Sequence, residues 1–232
     1  MAGETIKTDA VCLGIHPWSR TSHVTSWLTP AGRVVTVVKG AVRPKSAFLG
    51  QYDLNYTCEI LYYARARGEL HALRECTPTE RRDFLRTDYR ALVLAEHCRH
   101  VCAELVPSGP EARDWYALLV RTLDALRGAS AADRLLPVML GFERETLRLS
   151  GVWPELPSAG GELELDGGRR IPVPAATAAA LEDPGGASDP KILLDAARVI
   201  SVLYTLHLEL SPESRRSVLQ LICKPEQGKA SK

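Results

Sequence analysis

The sequence predicts a mixed α+β protein: a small N-terminal five-stranded β-barrel followed by an all-helical domain with a small β-hairpin insertion. Three observations predict it. Between residues 8 and 76, five short runs rich in β-branched and aromatic residues alternate with turn signals. After Pro78 the apolar spacing changes from every second residue to the three-to-four spacing of amphipathic helices. That helical spacing is broken once, by the Gly- and Pro-rich stretch 155–190, which holds one further pair of strand-like runs.

The first strand is read from Val11, Leu13 and Ile15, which alternate with smaller or polar neighbours. Runs 23–28 and 33–38 flank Thr29-Pro30-Ala31-Gly32, a hairpin signal. Residues 52–63 form the fourth strand, and Ala64-Arg65-Ala66-Arg67-Gly68 turns the chain into a fifth at 69–74. Five short antiparallel strands in under eighty residues fit a closed barrel of the OB type better than a sandwich, which needs about seven or more.

Residues 82–106 carry Tyr89, Leu92, Val93, Val101 and Leu105 at helical spacing and end at Pro107-Ser108-Gly109-Pro110. In 111–127, Trp115, Leu118, Leu119, Leu123 and Leu126 form one stripe, with Gly128 as C-cap. Asp133 is placed to N-cap a helix over 133–149 that is apolar around much of its circumference and therefore central. Gly151 and Pro154 end it. The hairpin pairs 162–165 with 170–173 around Asp166-Gly167-Gly168-Arg169, and helices follow over 191–208 and 212–222. The expected domains are 1–78 (barrel) and 79–224 (helical, with 155–190 inserted), then a flexible tail, 225–232.

Of 232 residues, 45% are hydrophobic and 25% charged, an ordinary globular composition. The net charge of +1 conceals an asymmetry: residues 1–50 hold six Lys and Arg against two acids. A basic first segment on a near-neutral chain marks one anion-binding face. The N-terminus has no secretory h-region, no apolar run approaches the roughly 20 residues of a membrane span, and the six cysteines are scattered. A reduced, cytoplasmic protein with no membrane association is expected.

Catalytic signals are sparse. Gly-x-Ser-x-Gly, Gly-x4-Gly-Lys, Gly-x-Gly-x-x-Gly and His-Glu-x-x-His are absent. Asp88 near His97 is the one acid/base candidate, and a Ser- or Cys-dependent hydrolase is the weakest of the readings weighed. His97-Cys98-Arg99-His100-Val101-Cys102 has thiolate and imidazole donors that zinc accepts, but Cys98 and Cys102 also continue the apolar stripe of Leu94, Val101 and Leu105. The expectation is a non-enzyme with neither metal nor cofactor.

The binding signals are stronger. Lys39, Arg43 and Lys45 leave an apolar strand on a segment shaped by Gly40 and Pro44, which suits a polyanion such as a nucleic-acid backbone. Barrels of the OB type bind nucleic acid through the loops joining strands 1–2 and 4–5. Here those loops hold Trp18 and Arg20, and Arg65 and Arg67. Trp18 either stacks on a base or plugs the barrel mouth. In the helical domain Arg134, Arg144 and Arg148 surround Leu136, Leu140 and Leu147, a pattern for an acidic, apolar peptide tail; the alternative is a bundle core whose surface arginines pair with Glu143 and Glu145.

The stretches Lys39-Gly40-Ala41-Val42-Arg43-Pro44-Lys45-Ser46, Gly68-Glu69-Leu70-His71-Ala72-Leu73-Arg74-Glu75 and Phe142-Glu143-Arg144-Glu145-Thr146-Leu147-Arg148-Leu149-Ser150-Gly151-Val152-Trp153-Pro154 occur in this order along the chain. Together they resemble signatures of the RecO family of bacterial DNA repair proteins. The resemblance implies an OB domain and a helical domain. It also implies binding to single- and double-stranded DNA, strand annealing, and help to RecA in replacing single-strand-binding protein together with RecR, in a nucleoid-associated setting. The family's DNA-contact role falls on Lys39, Arg43 and Lys45. Contact with the acidic C-terminal tail of single-strand-binding protein falls on the region of Arg134, Arg144, Leu147 and Arg148. Many relatives carry a four-cysteine zinc site after the Gly-x-x-Pro helix end; Glu155-Leu156-Pro157-Ser158-Ala159-Gly160-Gly161 has no cysteine, so no zinc is expected and the hairpin fills that space. The alternative is an RNA-directed OB module, because phosphate contacts do not identify the sugar.

Overall fold

The structure, a computed structural model, describes residues 4–65, 68–129, 132–157, 159–165, 168–208, 210 and 212–223, with 132, 133, 212 and 214 described by their backbone alone. Arg67, the Asp166-Gly167 turn, the Asp133 side chain and the 225–232 tail lie outside that description. The chain divides into two compact units, Met1–Thr87 with Cys98–Asp124, and Asp88–His97 with Ala125–Lys232.

In the first unit, β1 (Thr5–Ser19), β2 (Ser22–Thr29), β3 (Gly32–Val38), β4 (Thr57–Tyr63) and β5 (Leu70–Glu80) form a closed barrel in the order β1-β2-β3-β5-β4. This is the expected five-stranded barrel. One of its pairings is not antiparallel: β3 runs parallel to β5, with Val35 opposite Leu70 and Val37 opposite Ala72. β1 is long because it closes the sheet on itself. Thr5 to Val11 pair with β4, and Val11 to Ser19 pair with β2. Followed once round, the register passes from Thr5 to Tyr63, Ala72, Val37, Val24 and His16, returning to β1 eleven residues further on. Such stagger is what closure of a few tilted strands requires. The register is irregular between Cys12 and Gly14, where a Cβ on Gly14 would lie 2.7 Å from Ser26 Oγ; glycine lets β1 bend there.

Besides β1, which runs on into the expected loop as far as Ser19, two strands differ from their expected limits. β4 starts at Thr57 and not at 52, because Asn55 takes a positive φ of 65° and its N–H donates to Cys12 O, while Tyr56 O accepts from Cys12 N–H. β5 continues past Arg74 to Glu80; Pro78 is tolerated beside a register shift at Thr57/Cys58. The barrel interior holds Ala10, Cys12, Trp27, Val38, Cys58 and Ile60, all fully buried. Among its buried polar groups, Trp27 Nε1 donates to Thr36 Oγ1 at 2.9 Å, and the Thr25 and Thr36 hydroxyls lie 2.8 Å apart.

Arg82 closes the barrel region. Its φ is 50°, its side chain is buried, and it donates to Asp124 Oδ1 (2.9 Å), Asn55 O (2.8 Å) and Thr57 Oγ1 (2.8 Å). The helix expected over 82–106 is broken after Arg86: left-handed Arg82 precedes a 3-10 turn, Asp83–Arg86, and α1 runs from Tyr89 to Leu105, with Asp88 Oδ1 accepting from Ala91 N–H at 3.0 Å. Arg99 donates to Leu13 O and Arg33 Nη1 to Ala103 O (2.6 Å), fixing the later turns of α1 to β1 and β3. α2 (Ala112–Ala125) buries Trp115, Leu118, Leu119 and Leu123, as its stripe foretells.

The second unit contains α3 (Ala132–Leu149), the hairpin β6 (Gly161–Leu165) and β7 (Arg169–Val173), α4 (Ala175–Glu182), α5 (Pro190–His207) and α6 (Pro212–Cys223). α3 is central and packs on α4, α5 and α6. α5 begins as its sequence dictates, with Asp189 accepting from Lys191 N–H at 2.8 Å and Pro190 in the first turn. α4 was not expected. Ala175-Ala-Thr-Ala-Ala-Ala-Leu-Glu182 is apolar on nearly every side and shows no period, although alanine has the highest helix propensity. At the centre of the unit, fully buried Glu143 accepts from Arg215 Nε and Nη2, each at 2.8 Å, and lies 3.2 Å from His97 Nε2. Burial pushes the Glu143 carboxyl up, but the Arg215 charge and the hydrogen bonds from His97 and Arg215 hold it below the usual carboxylate range.

Candidate nucleic-acid interface

β3 leaves the barrel into a chain of tight turns. Gly40 has a φ of +68°, which favours glycine, and Arg43 N–H donates to Gly40 O (3.1 Å) and Ser46 N–H to Arg43 O (2.9 Å). Ala41 is buried against the barrel core and anchors the segment. Two hydrogen bonds fasten it to the β1–β2 turn: Val42 N–H to Thr21 O (3.3 Å) and Gly40 N–H to Ser22 Oγ (3.2 Å). The fold thereby gathers Arg20 with Lys39, Arg43 and Lys45, all exposed. Among the described residues none of the four has a carboxylate within ion-pair distance. The same segments carry exposed apolar side chains: Trp18 (63% exposed), Val42 (48%) and Leu49 (57%).

The β1–β2 connection is shorter than expected. β1 runs to Ser19, so only Arg20 and Thr21 form the turn, and His16 to Trp18 belong to the projecting strand. Trp18 points out of the barrel, and the plug reading falls. Arg65 is exposed on the β4–β5 loop, which opens beside β3 at the Leu70–Val35 pair. That loop is clamped at its stems. Ala64 N–H donates to Glu4 O (2.7 Å), Arg65 N–H donates to His71 Nδ1 (3.2 Å), and the His71 ring stacks on Tyr62 with centroids 5.4 Å apart. The Arg74 guanidinium covers the Tyr63 ring at 5.8 Å.

The cations of α3 are in a different state. Arg144 donates to Glu182 O and lies 2.8 Å from Glu145; Arg148 pairs with Glu182 and Glu145 and covers the Trp153 ring at 5.6 Å. Arg134 is exposed and donates to Gly128 O at 3.4 Å. Leu147 is fully buried, so it lines the core and not an open groove. Glu143, read from the sequence as a surface partner for arginines, is instead a core residue. The signal was present: Leu136, Leu140, Glu143 and Leu147 follow helical spacing on one stripe, and all four are buried.

The remaining chemical candidates are also placed. Cys98 and Cys102 are fully buried, and His97 turns to Glu143. Burial pushes the Cys12 and Cys102 thiols up, and the Cys58 thiol is raised by its hydrogen bond with Cys76 and by burial, which disfavours the nucleophilic thiolate. Among the described residues no cluster of three His, Cys, Asp or Glu could hold a metal ion, and no helix is long and apolar enough to cross a membrane.

No protein-family model matches the chain. Over 156 residues it is 28% identical to a protein described as DNA repair protein RecO from Roseiflexus sp. (strain RS-1). The likeness covers 67% of this chain and 53% of that protein, so the chain spans about half the length of the curated relative it matches.

Proposed function

We propose that this protein is a non-enzymatic, DNA-binding recombination mediator acting in DNA repair. The observation that carries the reading is the end of the barrel, where hydrogen bonds from two backbone N–H groups gather four exposed cations that have, among the described residues, no carboxylate within ion-pair distance. An unpaired cationic cluster on a rigid barrel attracts a polyanion, and a neighbouring exposed indole offers a stacking surface to any base. The name of the Roseiflexus relative and the three family-like stretches select DNA repair among the uses of such a surface.

In this reading Lys39, Arg43, Lys45 and Arg20 neutralise phosphates, Trp18 stacks, and Arg65 adds a contact from the β4–β5 loop. Charge neutralisation holds complementary strands together, while the helical unit engages single-strand-binding protein so that RecA, with RecR, can replace it. The tail contact is assigned to Arg134, Arg144 and Arg148, where tail carboxylates would compete with Glu145 and Glu182. The test is annealing of complementary fluorescent oligonucleotides coated with single-strand-binding protein, at two salt concentrations. Salt-sensitive acceleration is expected. No acceleration at either salt, or tighter binding to RNA than to DNA of the same sequence, would overturn the proposal.

A further inference from the structure

We propose that His71 is a positioning residue for nucleic-acid binding: it holds the β4–β5 loop so that the Arg65 guanidinium meets a phosphate. The inference rests on the nucleic-acid reading of the barrel. Arg65 and His71 lie on the two stems of the loop, and the bond from Arg65 N–H to His71 Nδ1 (3.2 Å) spans its mouth. His71 is itself fixed from two directions. Its backbone pairs with Thr36 of β3, and its ring stacks on the buried ring of Tyr62 at 5.4 Å and 23°.

The hydrogen bond defines the chemistry. A backbone N–H donates, so Nδ1 carries the lone pair and the ring proton sits on Nε2. His71 therefore spends its acceptor on the backbone of the one residue in the described loop that carries a free cation. The second clamp, Ala64 N–H to Glu4 O at 2.7 Å, fixes the residue just before it. A cation whose backbone is already ordered loses less freedom on meeting a phosphate, and so contributes more to binding.

Two substitutions separate the acceptor from the ring. His71→Asn places Oδ1 where Nδ1 stood and keeps the acceptor without the ring; His71→Phe keeps the ring on Tyr62 without the acceptor. The readout is the salt dependence of binding to a fluorescein-labelled oligo-dT, by anisotropy, using the full chain. Arg65→Ala and His71→Phe should each lower the log–log slope by about 0.7, the share of one phosphate on a single strand. Their combination should lower it no further, and His71→Asn should leave it at the wild-type value. If His71→Phe does not fold, His71→Gln supplies the same comparison, because its oxygen lies beyond the Nδ1 position.

Equal impairment of the Asn and Phe variants would assign the effect to the ring and overturn the proposal. So would a wild-type slope in the Phe or Gln variant, or additivity with Arg65→Ala. Wild-type protein that binds no oligonucleotide would sink the nucleic-acid reading and this inference with it; wild-type binding untouched by all the variants would sink this inference alone.

Discussion

Arg144 and Arg148 on α3 carry the same charge as Arg20, Lys39, Arg43 and Lys45 at the barrel end, in opposite settings. The two α3 arginines are held by Glu145 and Glu182, and Arg148 also lies over an indole. The four barrel cations have no carboxylate among the described residues and stand in solvent. A third setting, in the core, is Arg215 locked onto Glu143 with two bonds of 2.8 Å and its Nη2 also on Ala197 O at 3.1 Å. Arginine by itself says little. Its counter-charge separates a structural cation from one left available to a ligand.

The comparison is sharpest where an arginine is most buried. Arg215→Ala strands the Glu143 carboxylate in the core and should cost about 3–5 kcal/mol of stability, read by thermal or denaturant unfolding. The same carboxylate gives an acid signature. Its pKa is depressed in the folded protein, so the stability it supplies is complete above the unfolded glutamate value near 4.3 and is lost as pH falls through the lower folded value. Glu143→Gln should flatten that acid limb of the stability profile.

At the barrel end the effect should appear in binding and not in folding. Lys39→Ala, Arg43→Ala and Lys45→Ala together should lower the single-strand salt slope by about 2, at about 0.7 per phosphate, with an unchanged melting temperature. A melting temperature that falls would show the three to be structural. Trp18→Ala comes next: it should weaken single-strand binding by about 1–3 kcal/mol, the usual worth of one stacked base, with stability within about 0.5 kcal/mol of wild type. The smallest effect belongs to α3. Replacing Arg144 and Arg148 by alanine removes partly exposed pairs worth about 0–1 kcal/mol and should leave the salt slope untouched. A slope that falls there would erase the distinction between paired and unpaired cations.

What could be read in the sequence followed local chemistry. The Thr29-Pro30-Ala31-Gly32 turn and the stripe from Trp115 to Leu123 each carry their own instruction, and each element forms as expected. The misses are tertiary. Nothing near Tyr52 shows that Asn55 will turn left-handed, or that Arg82, 27 residues later, will bond its carbonyl. Glu143 reads as a surface acid until its partner, 72 residues away, is in place. The basic stretch at 39–45 was legible as charge. That it would be stitched to the turn at Thr21 and Ser22 was not, because those two hydrogen bonds exist only once the strands are paired.

The long first strand has a consequence for how the chain is made. β1, β2 and β3 can zip as neighbouring hairpins early in synthesis, but Thr5 finds its place only against Tyr63, 58 residues later. Until β4 and β5 have emerged through Glu80, the leading half of β1 waits as an open edge exposing Ile6, Ala10 and Val11. Closure then pairs residues far apart in sequence, which makes it the slow step of the unit. A nascent chain stalled before residue 80 should therefore be open to proteases and to other unpaired strands, while one extended past Asp124 has every partner of Arg82 in hand.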